Sequence, residues 1–260
     1  DDFANAKYSA MRERSVGLGA MGFHSFLQSK MIPFEGVMAS VWNRKIFNYI
    51  RTQADAASKK LAIERGACPD ADDYNIKERF SNKLAIAPTA SISIICGGTS
   101  PGIEPVVANA YTHKTLSGSF AIRNPHLESL LKSKKQNSED VWQSIAAHQG
   151  SVKHLDFLDP HEKDVFKTAF EIDQRWLIDH AAERSNMICQ AQSLNIFLPA
   201  DVHKRDLHQL HMRAWRKNVK SLYYCRSTSL QRMENSSDYK NKTQDFKPVN
   251  NFEDECLSCQ

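Results

Sequence analysis

The sequence predicts an α/β fold in which helices alternate with short buried strands. Three observations carry this. Over 36–65 the apolar residues Met38, Val41, Trp42, Ile46, Ile50 and Ala54 recur at helical spacing. The stretches 84–87 and 193–198 are short apolar runs of strand length. Helical and strand-like stretches also follow one another along the chain instead of separating into blocks.

Taken in order, 8–30 reads as helix, with Val16, Leu18, Met21, Phe23, Phe26 and Leu27 forming a broad apolar face. The long helix over 36–65 stops at Gly66 and Cys68-Pro69. The run 84–87 reads as a buried strand leading into a turn-rich stretch over 88–105. Two short helices follow over 124–135 and 139–148. From 160 to 184 Val165, Phe166, Ala169, Phe170, Ile172, Trp176 and Leu177 predict another long helix. The stretch 193–198 is strand-like, 201–219 helical and 221–226 strand-like. Beyond Ser227 the polar runs Glu234-Asn235-Ser236-Ser237-Asp238 and Lys240-Asn241-Lys242 predict a flexible tail. The division expected is a folded unit over 1–228 and a tail over 229–260. No internal repeat is visible.

Composition narrows the class. With 260 residues, 41% hydrophobic and 25% charged, the chain is long enough for a sizeable core. No apolar run approaches the roughly 18–20 residues that span a bilayer, so no membrane partner is expected. The net charge of +4 is spread along the chain, not gathered in a basic, aromatic-rich stripe, which argues against nucleic acid. Six cysteines, four of them isolated at 68, 96, 189 and 225, form no secreted disulfide framework and point to a reducing cytoplasmic compartment. The chain opens at Asp1 without an initiator methionine and enters helical pattern almost at once, which suggests a piece of a longer protein.

Several constellations bear on chemistry. The remaining cysteines form Cys256-Leu257-Ser258-Cys259, one residue from the end. A loose terminal dithiol ties no elements together, but it supplies an attacking and a resolving sulfur for thiol exchange; half a metal site or an inert tail are the plainer readings. Gly17-Leu18-Gly19-Ala20-Met21-Gly22 matches a dinucleotide-loop pattern, yet a charged segment precedes it and helix continues through it, so close helix packing is the expected use of these glycines. Ala87-Pro88-Thr89-Ala90-Ser91 follows a strand and offers backbone N–H and hydroxyl groups, either to a phosphate or simply as a helix cap. Tyr223-Tyr224 is either core or a redox pair. Contact between the two rings requires a bulge or strand end, because successive strand residues point to opposite faces. His203, His208 and His211 share a predicted helix without a third ligand at metal spacing and read as a solvated face.

Seven blocks resemble, in order, the large subunit of class I ribonucleotide reductase. They are Arg14-Ser15-Val16-Gly17-Leu18-Gly19, Glu64-Arg65-Gly66-Ala67-Cys68-Pro69, Ala87-Pro88-Thr89-Ala90-Ser91, Gly102-Ile103-Glu104-Pro105, Leu116-Ser117-Gly118-Ser119-Phe120, Gln192-Ser193-Leu194-Asn195 and Leu222-Tyr223-Tyr224. The terminal Cys-x-x-Cys completes the series, and the likeness is to the C-terminal portion of that subunit. The resemblance implies the second half of a ten-stranded α/β barrel with long flanking helices. Pro88, Thr89, Ala90, Ser91 and Ile92 would hold the substrate diphosphate. Tyr223 and Tyr224 would end a radical relay from a small subunit carrying a di-iron tyrosyl radical; no cofactor would be bound by this chain. Cys256 and Cys259 would pass electrons from thioredoxin or glutaredoxin to an active-site disulfide.

The family's Asn-Leu-Cys-x-Glu radical loop does not occur in this sequence. The resemblance therefore implies activity only with an N-terminal part, in either a split or a truncated subunit. Cys96 and Cys225 lie in no matching block and receive no role. Two other classes stand beside this reading: a stand-alone dithiol oxidoreductase, and a nucleotide-binding module that docks on a reductase.

Overall fold

The computed structural model describes residues 3–115 and 118–228. Four extended segments lie side by side in parallel and form its central wall. Segment 16–18 joins 83–85 through Val16 N–H to Asn82 O, Leu18 N–H to Lys83 O and Ala85 N–H to Leu18 O, at 2.8–3.1 Å. Segment 84–86 joins 190–193 through Gln190 N–H to Leu84 O, Ile86 N–H to Ala191 O and Ser193 N–H to Ile86 O. The third segment runs on into β3 (Ile196–Leu198), which pairs in parallel with β4 (Cys225–Ser227). Parallel neighbours need crossover connections, and helices supply them.

The first crossover holds α2 (Phe23–Ser29), α3 (Val37–Arg65) and the short α4 (Pro69–Asp72). The second begins with α5 (Ala90–Ile95) and continues through an antiparallel hairpin, β1 (Ala110–Thr115) and β2 (Gly118–Arg123). It then runs through α6 (Pro125–Ser133), α7 (Glu139–Ala147), α8 (Pro160–Val165) and α9 (Gln174–Ser185). The third is α10 (Lys204–Arg216), and a separate α1 (Ala4–Glu13) opens the chain. Leu84, Ile86, Leu194 and Phe197 of the wall are buried against Phe23 and Leu27 of α2, Ala39 and Phe47 of α3, and Leu177 and Ala181 of α9. Each such large apolar side chain contributes roughly 1.5–3 kcal/mol by leaving water. Leu18, Ala87 and Ala191 of the same segments are exposed, so the wall is packed with helices on one side only along this stretch. A second cluster joins Leu127, Leu131, Trp142, Ile145, Val165 and Phe166.

The structure corrects two helices and one motif. The apolar pattern over 8–30 is not one helix: α1 ends at Arg14 in the left-handed region (φ 48°), and 15–22 lies outside any helix. The glycines do not serve helix packing. Gly19 lies against the neighbouring wall segment, where an added Cβ would sit 2.6 Å from Ala85 O, and Gly22 (φ +82°) is the N-cap of α2. The pattern over 160–184 is likewise two helices. Asp159 and Glu162 form a capping box at α8, and Asp173 accepts from Arg175 N–H to start α9. Between them Glu171 takes the N–H and hydroxyl of Thr168 at 2.8 and 2.9 Å, turning the chain.

Candidate functional site

At the end of wall segment 84–86, Pro88 and Ala87 are exposed and the chain turns sharply. Thr89 adopts φ +52° as N-cap of α5, and its carbonyl accepts from Ser93 N–H at 2.9 Å. The Thr89 side chain does not cap that helix; Oγ1 accepts instead from Gly102 N–H at 2.8 Å. Gly102 is positioned for this by φ +49° and by its approach to Ala87 O, which a Cβ would meet at 3.0 Å. Ala90, Ser91 and Ile92 are exposed on the first turn of α5, and the Ser91 hydroxyl makes no hydrogen bond among the described residues. The loop thus leaves the Ser91 hydroxyl and first-turn N–H groups without intrahelical partners.

Two residues past Gly102, Glu104 is 6% exposed. Its carboxylate accepts Asn195 N–H at 2.8 Å and Asn195 Nδ2–H at 3.1 Å. Burial pushes this carboxyl above its usual range, opposed by those two hydrogen bonds and by Arg226. Asn195 Oδ1 in turn accepts from Tyr224 N–H at 3.0 Å. The turn 101–105 therefore reaches the Thr89 loop on one side and the tyrosines on the other. Sequence reasoning assigns Glu104 and Asn195 no role; the signal available to it was an acidic residue between Ile103 and Pro105, in a segment apolar enough to be buried.

Tyr223 and Tyr224 sit immediately before β4, half-exposed, with ring centroids 4.1 Å apart and planes inclined by 48°. Hydrogen bonding to Tyr224, then its charge, pushes the Tyr223 phenol above its ordinary value. The Arg226 guanidinium lies 5.5 Å from the Tyr224 ring centre. Consecutive tyrosines in contact are thus placed at a strand end, as ring contact requires. Cys256 and Cys259 lie outside the described residues. Cys96 and Cys225 are both exposed and free. His203 caps α10, its Nδ1 accepting from Arg205 N–H, and His211 Nδ1 bonds Leu207 O. Among the described residues no group of three or more His, Cys, Asp or Glu is arranged to hold a metal ion, and no helix is long and apolar enough to cross a membrane.

Residues 2–78 and 73–225 match the family described as ribonucleotide reductase, barrel domain. The ribonucleoside-diphosphate reductase large subunit of Invertebrate iridescent virus 6 is 47% identical over 231 residues, covering 87% of this chain and 24% of that protein. The putative large subunit of Frog virus 3 is 43% identical over 224 residues, covering 86% of this chain and 39% of its own length. Among solved structures, the class Id ribonucleotide reductase alpha subunit of Actinobacillus ureae superposes with a TM-score of 0.80 at 38% identity, covering 87% of this chain and 41% of that one. The chain thus spans between a quarter and two-fifths of these relatives.

Proposed function

The chain belongs to the ribonucleotide reductase barrel-domain family, and from that premise we propose that it is the C-terminal portion of a ribonucleoside-diphosphate reductase large subunit. The observation that carries the proposal is the coincidence, on one wall, of a hydroxyl-bearing loop at a strand's end and a contacting tyrosine pair further along. Joined to the N-terminal part of the subunit, it takes part in reducing a nucleoside diphosphate to its deoxy form. The four-segment wall belongs to the second five-stranded half of the barrel, and its exposed side faces the interior that the missing half closes.

Pro88, Thr89, Ala90, Ser91 and Ile92 hold the diphosphate. Thr89 Oγ1 already accepts from Gly102, which leaves its own O–H to donate to a phosphate oxygen, and Ser91 supplies a second hydroxyl. Tyr223 and Tyr224 carry an oxidising equivalent: each phenol loses a proton and an electron together, and the short ring separation lets the equivalent pass between them. The small subunit, with its di-iron tyrosyl radical, supplies that equivalent. Replacing the substrate hydroxyl by hydrogen releases water and leaves a dithiol oxidised to a disulfide. Cys256 and Cys259 exchange with that disulfide and are then reduced by thioredoxin or glutaredoxin. The site of action is the cytoplasm.

The decisive experiment separates relay from shuttle. The chain alone, given small subunit and any reductant, should show no ribonucleotide reduction; steady turnover would overturn the proposal. In the complete enzyme, Tyr223→Phe or Tyr224→Phe keeps ring and packing but removes the ionisable O–H, and turnover should vanish with every reductant. Replacing Cys256 and Cys259 by Ser should stop repeated turnover with thioredoxin-type donors while sparing the first turnover of prereduced enzyme. A small dithiol should partly restore the cysteine variant and never the tyrosine variants. A stand-alone dithiol oxidoreductase would instead lose all activity with the cysteines, and a docking module would be indifferent to them.

A further inference from the structure

Parallel pairing dictates which amide meets which carbonyl. With Ile196 opposite Cys225 and Leu198 opposite Ser227, Ile196 N–H donates to Tyr224 O at 2.9 Å and Thr228 N–H to Leu198 O at 3.3 Å. Followed back along both strands, the same rhythm assigns Leu194 O to the N–H of Tyr224. Leu194 O accepts instead from Tyr223 N–H, at 2.8 Å. The tyrosine strand has therefore taken in one extra residue just before β4, which is a β-bulge. In a regular strand Tyr223 and Tyr224 would point to opposite faces; across the bulge their ring centroids are 4.1 Å apart.

A bulge leaves one N–H outside the ladder, and here it is that of Tyr224. Asn195 Oδ1 accepts it at 3.0 Å. An Asn side chain offers either an oxygen or an NH2 in a given direction, and only the oxygen satisfies an N–H. Glu104 decides the direction. Its carboxylate is acceptor-only, so it draws the Asn195 NH2 to itself (3.1 Å) and turns Oδ1 toward Tyr224, while its other oxygen fixes Asn195 N–H (2.8 Å). Both residues are buried, at 6% and 2% exposure, where an unmet polar group is costly.

We propose that Glu104 and Asn195 are positioning residues that hold open the bulge by which the Tyr223 and Tyr224 rings meet. Without the clamp the Tyr224 N–H falls back to Leu194 O, the ladder regains its regular register and the two rings part. The structural claim stands on the ladder alone; its consequence for turnover rests on the relay reading above. The clamp also has a second attachment. Glu104 N–H donates to Pro101 O at 3.0 Å, and the intervening Gly102 N–H donates to Thr89 Oγ1, so one turn supports both the Thr89 loop and the tyrosine pair.

The test exploits the polarity of the pair. Glu104→Gln is isosteric but turns an NH2 toward one of the Asn195 donors; Asn195→Asp sets two carboxylates against each other. Combining them reverses the middle hydrogen bond without losing any. The amide introduced at position 104 donates to the carboxylate introduced at position 195, whose other oxygen still accepts from Tyr224 N–H. In the full chain, NMR should show Tyr223 amide exchange faster by about tenfold in each single variant, because the Tyr224 N–H takes Leu194 O from it as the register becomes regular, the loss of one backbone hydrogen bond. The ring-to-ring contact signal between Tyr223 and Tyr224 should be lost with it. The double variant should recover both. In the complete enzyme kcat should fall in the single variants and return in the double, with substrate KM unchanged. Retained ring contact in Glu104→Gln, or no recovery in the double variant, overturns the clamp. Should a single variant fail to fold, the double variant decides by the same two signals. If ring contact is lost and regained while turnover stays constant, the clamp stands and the relay reading falls.

Discussion

Two buried charges sit on either side of the same extended segment, Arg184 behind Gln192 and Glu104 beside Asn195, and they do different work. Arg184 is fully buried in α9; its Nε donates to Gln192 Oε1 and Nη1 to Asn43 Oδ1, both at 2.7 Å. Its guanidinium lies between the rings of Phe23 and Phe47, 5.7 and 5.4 Å from their centres. Desolvation lowers its pKa to about 9, opposed by the charge of Glu183, so it stays a cation at neutral pH. Through these contacts it fastens α2, α3 and α9 to the wall. Glu104 makes as many hydrogen bonds, but all to one residue, and what it holds ends in two half-exposed rings. In both centres neutral amides replace a direct counterion. The difference is where the order goes: into the assembly of helices at Arg184, into the aim of surface side chains at Glu104.

The sharpest way to break this comparison is to remove each charge and measure stability. Arg184→Met leaves Gln192 Oε1 and Asn43 Oδ1 unpaired in the interior, and each orphaned acceptor costs about 1–3 kcal/mol. A loss of about 2–6 kcal/mol in urea unfolding is expected from those two orphans together. Arg184→Lys should recover little of it, because an ammonium cannot reach two amides in fork geometry. Glu104→Gln should cost at most about 1 kcal/mol, since the lost hydrogen bond is offset by relief of a buried charge. Equal losses at the two centres would dissolve the distinction.

The second prediction sharpens the site side. Removing the Ser91 hydroxyl removes a donor that no described residue uses, so stability should not change. In the complete enzyme Ser91→Ala should weaken substrate binding by about 1.5–3 kcal/mol, the worth of a hydrogen bond to a charged group. Thr89→Ala should lose the same kind of donor and also the acceptor of Gly102 N–H, so it alone should add a stability loss. Unchanged affinity in both variants would move the phosphate site elsewhere.

The same division marks what the sequence makes legible. Helices α3, α6, α7 and α10 follow from local periodicity, and their bounds fall within a few residues of the expected ranges. The breaks at 14–22 and 166–173 were not legible from periodicity, because apolar spacing continues across them. What interrupts the first is close approach of Gly19 to Ala85, a partner 66 positions away. What interrupts the second is side-chain capping at Asp159, Thr168 and Asp173, a local signal that hydrophobic pattern outweighs. The hairpin of β1 and β2 escaped because its alternation is weak. The Thr89 loop and the tyrosine pair could be named from the chain, but the turn joining them could not. Its bonds run from Gly102 to Thr89 and from Glu104 to Asn195, and no short-range pattern encodes them.

The smallest expected effect concerns acid stability, where the two centres should pull in opposite directions. Glu183, beside Arg184, is lowered to about 2: burial opposes this, but the His180 ring 3.7 Å away and hydrogen bonds from Ser40 and Asn43 outweigh it, and Arg44 lies 2.9 Å away. A carboxyl depressed on folding binds fewer protons folded than unfolded. Its stabilisation is therefore present above the unfolded value, about 4.3, and is lost as pH falls from there toward 2. Glu104 is raised, so the folded state holds its proton longer; its contribution is favourable in acid and declines as pH rises through the folded pKa. Urea unfolding from about pH 3 to 7, the range spanning the unfolded carboxyl value, should thus show a slope that Glu183→Gln flattens and Glu104→Gln steepens. If both substitutions changed the slope in the same sense, Glu183 and Glu104 would share one electrostatic role, and only their neighbours would distinguish them.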